Sequence, residues 1–193
     1  MSKIPIISCR NIQEALTTGR GQEPSELQKA IVARVGDYEI RRCEREDIQA
    51  VVEINMETLP EHYSDYFYYE ILAEFPETFL VAEFDCTIVG YVMCRVEYGF
   101  SHLKKLGLAR KGHIVSIAVK DQHRGKGVGT LLVKASQDAM VKKDASESYL
   151  EVRVTNDEAI SLYQRLGYTV TSRLEAYYKD GEAALVMATK LGE

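Results

Sequence analysis

The chain has 193 residues, 46% hydrophobic and 27% charged, with 24 Lys and Arg against 29 Asp and Glu for a formal net charge of −5. That composition suits one globular domain with a real core, and no apolar run reaches the ~20 residues of a membrane span. The acidic balance argues against direct nucleic-acid binding. The start MSKIPIISCRNIQEAL lacks a secretory signal, and Cys9, Cys43, Cys86 and Cys94 show no zinc spacing, so the chain reads as a cytoplasmic protein with reduced thiols.

Residues 1–36 are polar and of mixed charge, broken at Gly19-Arg20-Gly21. The segment EPSELQKAIVARV predicts a short helix starting at Ser25, in a partly mobile extension ahead of a domain over 37–193. Tyr-Glu-Ile-Arg (38–41) alternates as a strand does. Ile48, Val51, Val52, Met56 and Leu59 recur at helical spacing over 46–59, and Pro60 ends that helix. An aromatic-rich helix follows over 64–75, closed by Pro76. Residues 79–84 and 88–98 read as strands joined by the turn Asp85-Cys86-Thr87. A basic loop over 99–111 precedes a strand at 112–119. The helix at 128–142 places Val128, Leu131, Leu132, Ala135 and Ala139 on one face. After a strand at 149–154, Thr155 and Glu158 form a capping-box signature for a helix through Leu166, with Gly167 as its left-handed terminator. A last hairpin pairs 169–178 with 183–190 at Asp180-Gly181. The order βααβββαβαββ predicts a mixed α/β domain, one sheet between helices.

The stretch HIVSIAVKDQHRGKGVGTLLVKA (113–135) runs from a strand through Gly125, Gly127 and Gly129 into a helix. Alternating glycines let backbone N–H groups approach a ligand, and the helix start adds unpaired donors and its positive dipole end. With Arg124 and Lys126 this makes a cradle for a phosphate or pyrophosphate; taken alone, a plain strand-to-helix turn is the alternative. A P-loop is excluded because Thr130, not lysine, follows Gly129, and a dinucleotide fold because Asp121-Gln122-His123-Arg124 separates strand from glycines. What is left, R-x-x-G-x-G on Arg124, Gly127 and Gly129, resembles the pyrophosphate loop of GNAT acetyltransferases.

Three further stretches agree with this. LEVRVTNDEAISLYQRLGY (150–168) resembles the same family's strand, Asn-bearing turn and tyrosine-bearing helix. LPEHYSDYFYYEIL (59–72) and YYKDGEAALVM (177–187) resemble the peptide-side elements of a narrower group, the protein N-terminal acetyltransferases: the archaeal enzymes, the NatA catalytic subunit and, more distantly, RimI. The resemblance covers about 38–190 and implies the GNAT fold: a central mixed, mostly antiparallel sheet with two splayed parallel strands and helices on both faces. It implies acetyl-CoA as co-substrate, its pantetheine arm added to the splayed strand at Ile117 and Val119. Backbone donors at Ile117 and Ala118 would form an oxyanion hole. Arg124, Gly125, Lys126, Gly127, Val128, Gly129 and Thr130 would hold the pyrophosphate, and Asn156 the arm. Tyr163 would lie along the cofactor and protonate the departing thiolate.

Transfer to an amine needs the neutral base. An α-amine with pKa about 8 is roughly 10% neutral at pH 7, a lysine at about 10.4 only about 0.04%, so a chain terminus asks modest help. The residues leave open whether His113 and Glu151 are structural, but the resemblance turns His113, Glu151 and Glu61 into candidate bases. Glu151 matches the RimI-like base in LEVR, where NatA-type chains often carry histidine. The expectation is His113 acting with Glu61 through water, Glu151 assisting. His113 and Glu151 are also half of a metal site, expected to hold zinc only opportunistically, with no metal needed for catalysis. Glu61, Tyr63, Tyr177 and Tyr178 are expected to flank the peptide, favouring termini that begin with Ser, Ala or Met. The expected partners are protein N-termini, with a ribosome or auxiliary subunit, and no membrane. The alternatives are a RimI-like ribosomal-protein enzyme, a lysine or small-amine acetyltransferase, and a non-catalytic acyl-CoA-binding module.

Overall fold

The computed structural model describes residues 31–104 and 106–192. Its strands are β1 (Ile31–Val35), β2 (Tyr38–Arg42), β3 (Phe79–Phe84), β4 (Thr87–Phe100), β5 (Leu108–Val119), β6 (Glu147–Arg153), β7 (Thr169–Leu174) and β8 (Ala184–Lys190). Its α-helices are α1 (Ile48–Thr58), α2 (Asp65–Glu74), α3 (Val128–Val141) and α4 (Asp157–Arg165). The strands form one sheet in the order β1-β2-β3-β4-β5-β6-β8-β7, antiparallel at every junction except β5–β6.

Successive residues of a strand face opposite sides, and here both sides are covered. Leu80, Ala82, Val92, Cys94 and Ile114 meet Val128, Leu132, Val133, Ala135 and Met140 of α3. Phe79, Val81, Tyr91 and Met93 meet Ile48, Val51 and Ile54 of α1 and Tyr68 and Ile71 of α2. This is why β3 and the middle of β4 read as unbroken apolar runs, and each fully buried side chain contributes about 1.5–3 kcal/mol. A buried ion pair fixes the start of α1. Arg41 donates from Nη1 to Asp47 Oδ2 at 2.6 Å and from Nη2 to Oδ1 at 2.8 Å, while its Nε donates to Glu83 Oε2 at 2.8 Å. Losing one partner would strand a buried charge, at about 3–5 kcal/mol.

The structure departs from the sequence reading in five places. The end of the expected helix over EPSELQKAIVARV is instead β1, an antiparallel partner of β2 across a turn at Gly36 (φ +55°). The β-branched Ile31, Val32 and Val35 beside a free sheet edge outweigh helix propensity. The expected domain edge at 36/37 therefore falls inside a hairpin; residues 1–30, with the rest of that helix and extension, lie outside the described residues. The basic loop over 99–111 is strand at both ends, because β4 and β5 stay paired as far as Phe100 and Leu108 and pairing uses only backbone groups. The final hairpin turns at Gly181 (φ +87°) as expected, but β7 stops at Leu174 and leaves Tyr177 and Tyr178 in a loop. Asn156, not Thr155, caps α4: its Oδ1 accepts from Ala159 N–H at 3.1 Å, while the Thr155 hydroxyl donates to Glu182 Oε1 at 2.7 Å, a stronger carboxylate acceptor. Cys43 and Cys94 are buried free thiols, but Cys86, on the exposed β3–β4 turn, is disulfide-bonded.

Candidate active site

The site begins where two strands part. β5 and β6 pair only over 111–113 with 147–149, yet β5 runs on to Val119 and β6 to Arg153. A bulge at Val115, flanked by the pairs Cys94–Ile114 and Met93–Ser116, bends β5 just past the last shared pair. The peptide groups of 114–119 that face β6 thus have no strand partner, an arrangement that invites an extended ligand to supply one. Ile117, Ala118 and Val119 lie on this stretch. Tyr63 Oη donates to Val115 O at 3.2 Å, and Arg124 Nε to Val119 O at 3.0 Å, tying the peptide-side loop and the glycine loop to the same open strand.

At the far end of β5 a 3₁₀ turn (Asp121–His123) leads into the glycine loop. Gly125 and Gly127 have φ of +72° and +84°, a conformation that costs other residues about 1–2 kcal/mol. Gly129 differs: an added Cβ would meet only Leu162 Cδ2, at 3.7 Å, so packing within the protein does not demand glycine there. Its bareness suits a ligand lying on the loop. Val128 starts α3, so the loop ends on helix N–H groups that lack intrahelical partners, at Val128, Gly129 and Thr130. Arg124 pairs with Asp121 Oδ1 at 2.9 Å, and Lys126 is exposed. The N-terminal hairpin braces this loop. Val35 packs near Gly127, and Tyr38 Oη lies 3.0 Å from His123 Nδ1. Burial, then Lys126 and Lys120, lowers the His123 pKa.

The other half of the cleft is built from side chains. His113 Nε2 lies 2.7 Å from Glu151 Oε2. A carboxylate only accepts, so Nε2 carries the hydrogen and Nδ1 the lone pair. Nδ1 is buried and has no partner among the described residues. The imidazole stacks on Tyr149 with centroids 4.3 Å apart and planes 2° from parallel. Tyr149 Oη donates to Glu97 Oε1 at 2.7 Å, and Lys111 Nζ sits 4.6 Å from its ring centre. Tyr149, Glu151 and Arg153 alternate onto one face of β6, so the period-2 spacing around Glu151 was the signal for both unforeseen members, Tyr149 and Arg153.

Glu61 pairs with Arg153. Its Oε1 accepts from Arg153 Nε at 3.1 Å and Nη2 at 2.5 Å, and Arg153 Nη1 donates to Asp180 Oδ2 at 2.8 Å and Glu182 Oε2 at 2.6 Å. The guanidinium also lies over the Tyr178 ring at 4.1 Å. The structure thus joins His113 to Glu151 and Glu61 to Arg153. Tyr63 stacks on Phe67 at 4.9 Å, and burial pushes its phenol up to about 12. Tyr163 is buried against Tyr168 at 5.6 Å, and burial raises its pKa well above the ordinary phenol range. Among the described residues no group of three or more His, Cys, Asp or Glu is arranged to hold a metal, and the His113–Glu151 pair is closed on itself.

Splayed strands, an anion cradle and a buried histidine–carboxylate pair on one sheet define a type of transferase site, and the acetyltransferase (GNAT) family model matches residues 48–168. The chain belongs to that family. An N-alpha-acetyltransferase of Sulfurisphaera tokodaii is 48% identical over 157 residues, spanning 80% of this chain and 94% of that protein. The crystal structure of Ard1 from Thermoplasma volcanium superposes with a TM-score of 0.72 at 28% identity, covering 82% of this chain and all of that one. The NatB acetyltransferase complex bound to CoA and MES includes a chain at 29% identity and a TM-score of 0.67, over 79% of this chain and 99% of that one. The GNAT sheet explains the wedge: its parallel pair is the one junction that opens.

Proposed function

We propose that this chain is an N-terminal α-amino acetyltransferase that passes an acetyl group from acetyl-CoA to the free amine of a protein chain. The observation that carries the reading is the His113–Glu151 pair at the vertex of the opened strands. The names of the similar proteins, N-alpha-acetyltransferase and a NatB complex with CoA, support the same chemistry.

The residues present fit acetyl-CoA. The unpaired edge at Ile117, Ala118 and Val119 would take the pantetheine arm, and Arg124, Lys126 and the amides of Gly125, Gly127, Val128, Gly129 and Thr130 the pyrophosphate. Asn156 uses its oxygen as the α4 cap, which leaves its amide N–H groups for the arm. Bound there, acetyl-CoA supplies an acetyl group already activated as a thioester. His113 Nδ1 receives the proton that the ammonium must lose, directly or through water. Glu151 holds the opposite N–H and stabilises the imidazolium that results. Tyr149 keeps the ring in plane. As the new C–N bond forms and the C–S bond breaks, Tyr163 donates a hydrogen bond to the leaving sulfur. The sulfur departs as thiolate and takes up the second proton that the nitrogen releases, so the products are the amide and the free CoA thiol. Its raised pKa makes it a hydrogen-bond donor rather than a net proton source. Glu61 serves as a wall anchor, and His113 works with Glu151.

Tyr63, Tyr177 and Tyr178 flank the incoming chain, which begins with Ser, Ala or Met. Work in the cytoplasm with an auxiliary subunit or at the ribosome belongs to the same proposal; the NatB relative is described as a complex. Mass spectrometry on peptides starting Ser, Ala and Met, each with an internal lysine, tests it. Acetylation at the α-nitrogen supports the assignment. Modification confined to lysine, or none despite bound coenzyme, rejects it.

A further inference from the structure

Arg153 joins chain segments that are far apart in sequence; its partner Glu61 is 92 residues away. On one side it holds Glu61, in the loop between α1 and α2 that also carries Tyr63. On the other it holds Asp180, Glu182 and the face of Tyr178, in the loop between β7 and β8. In the proposed function those two loops are the walls that flank the incoming peptide, and Arg153 rises from β6 two residues beyond Glu151. We infer that Arg153 is a latch: a positioning residue that sets the spacing of the two walls over His113 and Glu151, and so decides which amines reach them.

The chemistry of the cluster favours this over a generic surface ion pair. The Arg153 side chain is only 17% exposed, and its planar fork spends Nε and Nη2 on Glu61 and Nη1 on both hairpin carboxylates. Lysine, with one compact ammonium, cannot span both walls at once. Three carboxylates share this one cation. Without it they repel one another across the entrance, so loss of Arg153 pushes the walls apart. Glu182 extends the tie inward, since its Oε1 accepts from the backbone N–H (3.1 Å) and the hydroxyl (2.7 Å) of Thr155, just ahead of α4. The hairpin wall is thus fastened at two points, at Arg153 on the end of β6 and at Thr155 just beyond it.

The inference rests on the proposed α-amine acetylation for its substrate. Arg153→Met should raise the KM for a Ser-starting peptide at least ~10-fold while kcat and the acetyl-CoA Kd stay within about 3-fold, the split expected of a residue that shapes binding rather than chemistry. Acetylation of an internal-lysine peptide, relative to the terminus, should rise as the walls part. Arg153→Lys should recover only part of the peptide KM. An unchanged peptide KM in a folded Arg153→Met protein overturns the latch, as does a loss confined to kcat. If Arg153→Met does not fold, Asp180→Asn combined with Glu182→Gln tests the outer wall alone: a raised peptide KM supports the latch and an unchanged one overturns it. Hydrogen exchange gives a readout independent of turnover. Residues 59–64 and 175–183 should both exchange faster in Arg153→Met, and 175–183 in the outer-wall pair; in Arg153→Met, faster exchange at only one loop, or at neither, overturns the latch. A wild-type protein that acetylates no terminus defeats the proposed function, while the paired exchange still decides the latch.

Discussion

The two ends of the cleft are made of different materials. The end we propose for the coenzyme is backbone: an unpaired strand edge, two left-handed glycines and the first amides of α3, all within residues 114–130. The end we propose for the amine is side chains gathered from afar, with His113 and Glu151 separated by 38 residues and Arg153 and Glu61 by 92. Backbone groups suit a ligand common to a whole family, since they cannot mutate away. Side chains suit the part that must choose a substrate and move a proton. The comparison implies that the two ends can be damaged separately.

His113→Ala breaks the amine end and should have the largest effect. Loss of a positioned general base lowers kcat by about 10²–10⁴-fold, while acetyl-CoA affinity should remain near wild type. Gly127→Val does the converse. A β-branched residue at φ +84° must shift the loop, so the acetyl-CoA Kd should rise at least ~10-fold, with kcat at saturating coenzyme little changed. Titration calorimetry and steady-state rates separate the two outcomes, and equal loss of binding in both variants would erase the distinction.

Tyr149→Leu sharpens the comparison within the amine end. Removing the stacked ring should cost about 0.5–1.5 kcal/mol, a 2- to 12-fold fall in kcat with unchanged coenzyme binding. Tyr149→Phe keeps the ring and loses only the bond to Glu97, so it should fall less.

The smallest effect is that of acid on the latch. The Asp180 pKa is lowered by the backbone N–H of Glu182 and then by Arg153, and that of Glu182 by the Thr155 hydroxyl and then by Arg153. Carboxylates with depressed folded pKa values stabilise the folded state above their ordinary range and lose that contribution as pH falls through the lowered values. The hairpin loop should therefore stay fastened at neutral pH and loosen only as pH falls below the ordinary carboxylate range. Exchange rates over 175–183 measured against pH check the sign; loosening as pH rises from 5 to 8 would contradict it.

The same division explains what could be read in the sequence. Helices α1, α2 and α3, the four central strands and the glycine loop follow from local periodicity and turn chemistry, and each lies within a few residues of its expected bounds. The strand β1 was missed because its reason is a neighbour, the free edge of β2, rather than its own pattern. Glu61 was expected beside His113 because both belong to the peptide side of the resemblance. Its partner Arg153 lies on another element, and no spacing along the chain announces that contact. Asn156 and Thr155 exchanged roles for a similar reason, a carboxylate from the distant β7–β8 loop claiming the threonine. Short-range constraints are legible; the meeting of three segments at one guanidinium is not.

Calorimetric titration of acetyl-CoA into the full-length wild type, His113→Ala and Gly127→Val tests the division of the cleft most directly. Wild type and His113→Ala should bind with the same Kd, and Gly127→Val far more weakly. No binding to wild type, or a loss in His113→Ala as deep as that in Gly127→Val, would contradict it.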